Sequence, residues 1–153
     1  MNTTVFWTVL SGVITFVVGQ LVVRLVVEPV QELKKTIAQI SHALIQHRSV
    51  YQNPGVLGQE VENETSSKLR DLSSQLHAHL FLIPSYSKTA RVFCLPPQDR
   101  VLEAAKSLDN LSKGVFKATG DSGRLIEHNV KERENICKCL GIYMPDEERW
   151  PKG

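Results

Sequence analysis

The sequence predicts an all-α protein: a single N-terminal transmembrane helix followed by a small helical bundle of about four helices. Three observations carry this. No charged residue occurs from Asn2 to Val23, and the apolar stretch Val5–Val27 is interrupted only by Arg24. Beyond it, apolar residues recur at spacings of three and four in four separate segments, the period of an amphipathic helix. No alternating apolar–polar run of useful length competes for a strand.

The apolar stretch comes first in the chain. At 1.5 Å per residue, Val5–Val27 reaches roughly 34 Å, enough to cross a hydrocarbon core about 30 Å thick. Such a span is helical, because lipid offers no partners to backbone N–H and C=O groups. Phe6 and Trp7 mark one end, where aromatic rings lie among headgroups. Arg24 marks the other, where its long stem lets the guanidinium reach the interface. A cleaved signal peptide needs a basic start, a short apolar core and a small-residue cleavage site, and none of these is present. The segment 1–28 therefore reads as a retained anchor.

Flanking charge sets the orientation. Met1–Thr4 has no Lys or Arg, whereas Arg24, Lys34 and Lys35 follow the apolar core. The positive-inside rule then leaves the N-terminus outside and residues 29–143 in the cytoplasm, at a cell's inner (plasma) membrane. Three cysteines without scaffold spacing (Cys94, Cys137, Cys139) agree with a reducing compartment. Two of the three Asn-x-Ser/Thr triplets, at Asn63 and Asn110, would face the cytoplasm, and all three are read as chance matches.

The bundle follows in order. Pro29 suits a first helical turn and disfavours the α region at Glu28, so the membrane helix either kinks here or ends and restarts. Val30, Leu33, Ile37, Ile40 and Leu44 form a first stripe, giving a helix to about Val50. Asn53-Pro54-Gly55 and Gly58 signal a turn, and residues 52–64 read as a loop. Thr65 or Ser66 is then a candidate cap for a helix striped by Leu69, Leu72, Leu76, Leu80 and Ile83 and ended by Pro84. Ser85–Leu95 is ambiguous. Pro96-Pro97 sets up a third helix through Val101, Leu102, Ala105, Leu108, Leu111 and Val115, ending near Lys117 or earlier at Gly114. A turn at 119–123, with Asp121 or Ser122 as cap, opens a fourth helix through Leu125, Ile126, Val130, Ile136 and Leu140, closed by Gly141 with Ile142 after it. Residues 144–153 read as a polar, mobile tail in which Trp150 is incidental.

Composition and spacing exclude several functions. After Val27 stand 17 Lys and Arg against 16 Asp and Glu with no like-charge block, which offers nucleic acid no basic face. Cys137 and Cys139 lie two apart on a helix, about 200° around it, so they cannot share a metal; Cys137 is expected inward and Cys139 outward. His77 and His79 share that difficulty, and His79 is expected half-buried beside the stripe. His42 and His47 are five apart rather than the four of a helical zinc pair. Glu60, Glu62 and Glu64 read as solvated loop charge. No nucleophile elbow, phosphate loop, dinucleotide fingerprint or zinc-protease motif occurs. No catalytic residue, cofactor, metal or small-molecule substrate is therefore expected. The weakest alternative is an enzyme site gathered from His79, Tyr86 and Arg91.

Two features of the anchor have more content. Ser11, Thr15 and Gly19 stand four apart with Thr8 and Gly12 beside them, a small-residue face that lets two membrane helices approach, and Gln20 offers an amide for a bond across such a contact. Arg24, Glu28 and Pro29 form the membrane-exit joint. The apolar spacing continues through Val23, Val26 and Val30 toward Leu44, which suits a parallel coiled coil with a second copy or, as the preferred reading, packing on the chain's own later helices.

Val26–Ile40, with Pro29 and then Leu33 four residues on, resembles the start of a HAMP signalling module, although 52–72 departs from that pattern. The whole layout resembles uncharacterised bacterial single-pass membrane proteins of this size. That likeness is carried by Glu28–Leu33 (EPVQEL), Ala78–Pro84 (AHLFLIP) and the helix after Pro96-Pro97, ending in Leu108–Ser112. It implies no activity. The expected function is a membrane-tethered scaffold that binds protein partners or itself, with a signal-transducing element as the alternative.

Overall fold

A computed structural model describes residues 2–116 and 122–145, and every regular element among them is helical. Helix α1 (Asn2–Val22) leads through one π-turn (Val23–Val27) into α2 (Glu28–Gln46). The helical run from Thr3 to Gln46 is unbroken over 44 residues, and it is long and apolar enough to cross a membrane. After it come α3 (Arg48–Gln52), α4 (Gln59–Leu82), α5 (Tyr86–Phe93), α6 (Gln98–Lys113) and α7 (Ser122–Leu140).

The chain neither ends nor restarts at Pro29. Glu28 stays helical, with φ −60° and ψ −50°, and its N–H bonds the Val23 carbonyl five residues back. The physical reason lies in the proline ring. It lacks an N–H for the Leu25 carbonyl and crowds that carbonyl, so widening the preceding turn by one residue makes room and keeps the helix going.

α2, α4, α6 and α7 pack as neighbours in that order, with α3 against α7. The stripes meet in one core: Leu33, Ile40, Leu69, Leu72, Leu76, Val101, Leu108, Leu111 and Ile136 are all fully buried. The first stripe is thus spent on the chain's own helices. Thr36 Oγ1 lies 2.9 Å from His79 Nδ1, and Thr65 Oγ1 lies 3.0 Å from His47 Nδ1, so α2 and α4 run antiparallel. Asn110–Glu132 (3.1 Å) and Asn135–Ser107 (3.0 Å) show the same for α6 and α7.

Several expectations need correction. The loop 52–64 shrinks to about 53–58, because α4 starts at Gln59 behind Gly58, whose φ of +100° only glycine adopts without strain. Thr65 and Ser66 are therefore not caps but buried mid-helix residues. Glu60, Glu62 and Glu64 lie on α4, and Glu62 is buried. The segment after Pro84 resolves as α5, entered and left through left-handed residues, Ser85 (φ 48°) and Cys94 (φ 52°). α6 stops at Lys113. Cys139 is buried as Cys137 is, with Glu103 of α6 beside its thiol and the Cys94–Pro97 segment lining the same pocket. Met144 belongs to the core, so a polar tail cannot begin there; 146–153, with Trp150, lies outside the described residues, as do Lys117 and most of the 119–123 turn with Asp121.

α7 closes as expected. Gly141 has φ +70°, and the Ile142 N–H bonds the Cys137 carbonyl at 2.8 Å, the six-to-one bond of a glycine-terminated helix. Leu95 N–H to Ala90 O at 2.9 Å repeats that closure at the end of α5, with Cys94 in the glycine's place.

Candidate functional site

The long first helix and the two ends of the bundle make up the candidate site. Along α1, Ser11, Gly12, Thr15 and Gly19 are all exposed, and a Cβ added at Gly12 or Gly19 meets nothing within 4 Å. The face is therefore open along its length. Phe6 and Trp7 pair edge to face at 6.2 Å between ring centroids at its start. Gln20 lies on an adjoining stripe with Phe16, Val17, Leu21 and Arg24, which together line a shallow groove. The structure thus sets the amide and the guanidinium on one side of the helix, four residues apart.

At the exit joint, Arg24 falls inside the π-turn, Glu28 closes it and Pro29 opens α2. Arg24 and Glu28 are exposed and Val30 is the first buried residue. The joint has no flexible connector: the same helix that carries the apolar segment also carries Val30 and Leu33 into the core.

The three residues of the alternative enzyme site are not gathered. Tyr86 and Arg91 line one groove of about 450 Å³ with Ser87, Gln98 and Asp99. His79 is outside its lining and is engaged with Thr36 on α2. The Tyr86 hydroxyl donates to the Pro96 carbonyl at 2.8 Å, and burial pushes it up to about 12. A phenol so held neither accepts nor gives up a proton readily near neutral pH. Among the described residues, no group of three or more His, Cys, Asp or Glu side chains is placed to hold a metal ion.

The bundle ends differ in chemistry. One end gathers the start of α2, the last turn of α4, α5, the start of α6 and the close of α7, since Cys94–Pro97 and Lys138–Gly141 line one pocket. It exposes Phe81, Leu82 and Val92, with Lys88 and Arg91 also exposed. The His77 ring lies 5.0 Å from that of Phe81. The other end gathers the close of α2, α3 and the start of α4, and exposes Ile45, Val56, Leu57 and Val61 beside the exposed Glu60 and Glu64. Sequence reasoning passed over this second tip. Its signal was Val56 and Leu57, two large apolar residues inside a turn.

Comparison with known proteins finds no match: no family model, no curated protein and no solved structure.

Proposed function

We propose that this protein is a membrane-tethered helical module that holds protein partners, or further copies of itself, at the cytoplasmic face of a plasma (inner) membrane, and that it performs no chemistry of its own. One observation carries the reading: the unbroken run Thr3–Gln46, which takes an exposed apolar helix directly into a packed core. A bundle so joined is held at a fixed distance from the bilayer. The basic residues after the apolar core, Arg24, Lys34 and Lys35, favour the cytoplasmic side for the bundle. The apolar tip at Val56, Leu57 and Val61 is the surface offered to a protein partner, and the Ser11–Gly19 face is offered to a second copy. Affinity purification of the full chain from detergent-solubilised membranes tests this. The expected result is a specific partner or an oligomer; recovery of neither overturns the reading.

The π-turn favours one second reading, a signal-transducing element. A turn holding one extra residue is a place where a helix changes register, and Val23–Val27 lies at the membrane exit. A rotation of α1 passed through Pro29 would reach the bundle core. Loss of a cellular response in Pro29→Ala, with insertion intact, is the expected outcome of that reading.

A further inference from the structure

The bundle end that faces the span has the composition of a surface that meets lipid. His79 on α4 is level with Thr36 on α2, and each later residue of α4 comes about 1.5 Å closer to the span. Ile83 is then level with about residue 32, roughly 8 Å past Val27 along the same helix. A headgroup layer is about 5–8 Å deep, so a helix that leaves the hydrocarbon near Val27 brings the close of α4, and α5 after it, to that layer.

Side chains there fit that position. Phe81, Leu82 and Val92 are 65%, 61% and 76% exposed. Lys88 and Arg91 are both exposed on α5, Lys88 opposite the buried Tyr86 and Ala90, and Arg91 at the rim of the groove those two line with Asp99. No acidic residue occurs between Asp71 and Asp99. The far tip is apolar too, but it carries Glu60 and Glu64, which an anionic leaflet repels. Glu28, Glu32 and Asp99 also belong to the span-side end, and Arg48 and Lys68 to the far one, so the contrast is local: the exposed apolar residues of α4 and α5 have Lys88 and Arg91 beside them, whereas those of the far tip have Glu60 and Glu64.

We infer that the close of α4 and helix α5 seat on the bilayer that α1 crosses, with Phe81, Leu82 and Val92 at the boundary between headgroups and acyl chains and Lys88 and Arg91 against anionic headgroups. The inference rests on the span reading. The test uses the full chain in phosphatidylcholine–phosphatidylglycerol vesicles, with brominated lipid and acrylamide as the two fluorescence quenchers. A Trp7→Phe, Trp150→Phe background carries Val92→Trp, Leu82→Trp or, as the far-tip control, Val56→Trp; Trp150→Phe alone leaves Trp7 to report the span. The expected result is quenching by brominated lipid at 82 and 92 but not at 56, falling several-fold when Lys88→Glu and Arg91→Glu are added. If positions 82 and 92 answer only to acrylamide, as 56 does, while Trp7 answers to brominated lipid, the seating is overturned and the span stands. Shielding of 82 and 92 from both quenchers means that protein, including a second copy, covers this end, and also overturns it. If Trp7 escapes brominated lipid, the span reading falls and the seating with it.

Discussion

The Asn129 side-chain amide donates to the Tyr51 carbonyl at 2.8 Å, joining α7 to α3 across 78 residues of sequence. The same Nδ2 donates to the Gly114 carbonyl at 2.7 Å. Asn129 has no solvent exposure, so neither carbonyl has water as a substitute. One side chain thus ties together the close of α6, the start of α7 and the corner after α2.

Asn129→Ala leaves two buried carbonyls without that donor, and about 2–3 kcal/mol of stability is expected to go with it. Gly114→Ala acts from the opposite side, since its Cβ would stand 1.9 Å from Asn129 Oδ1. Its cost is expected to be about 1–3 kcal/mol through overpacking. Urea denaturation followed by circular dichroism in detergent checks both; an unchanged midpoint in Asn129→Ala would show that the tie does not hold the corner.

The π-turn depends on Pro29. Pro29→Ala restores an N–H for the Leu25 carbonyl and removes the crowding ring, so the turn is expected to tighten to α geometry. Removing a one-residue bulge rotates α2 by about 100° relative to α1. Spin labels at Thr15→Cys and Lys68→Cys in a Cys94→Ser chain are therefore expected to change separation by several ångströms when Pro29→Ala is added. An identical distance distribution would show that the proline does not set the turn.

Burial pushes the His47 imidazole below its ordinary 6.5, opposed by Glu64 and reinforced by His42 and Lys68. The unfolded chain therefore takes up the proton first as pH falls. Stability is complete above about 6.5 and declines as pH drops from there toward the lower folded value. His47→Gln is expected to flatten that decline, read as denaturation midpoints on either side of 6.5.

Thiol chemistry separates the three cysteines. Cys94 is exposed, while Cys137 and Cys139 are buried. Burial first, then Glu103, pushes the Cys139 thiol up. Fast modification of one thiol per folded chain is expected, lost in Cys94→Ser, with the other two reacting only after unfolding. Cys94 is also the residue to use when asking which side of a membrane the bundle occupies.

Closing the open face of α1 tests self-association. Gly19→Leu adds a bulky side chain to a helix surface that meets nothing in its own chain. Folding is expected to be unchanged and crosslinked dimers in membranes to disappear. A crosslinking pattern that ignores the substitution would remove this face from consideration.

The repeated leucines of α4 were legible because burial there follows helical period: Leu69, Leu72, Leu76 and Leu80 all reach the core. Polar residues inside the same helix were not. Thr65 has the chemistry of a cap, yet its hydroxyl meets His47, 18 residues earlier, and no local pattern reveals such a partner. α5 escaped for a related reason, since Ser85 and Cys94 hold left-handed corners that glycine usually marks. Cys139 departed from the helical wheel because residues distant in sequence, Glu103 and the Cys94–Pro97 segment, lie near it. The apolar span was visible in composition alone, whereas the two contrasting bundle ends emerged only once the antiparallel packing set distant residues at one level.

Because α2 is both the continuation of the apolar helix and a member of the core, the bundle has no swivel. In a bilayer, a helix of fixed apolar length answers a thinner hydrocarbon layer by leaning. α2 is 19 residues long, about 28 Å, so a lean of about 20° would carry the far tip sideways by about 10 Å. On the proposed span, bilayer thickness would thereby be converted into lateral position, the chain acting as a pointer pivoted where α1 leaves the lipid.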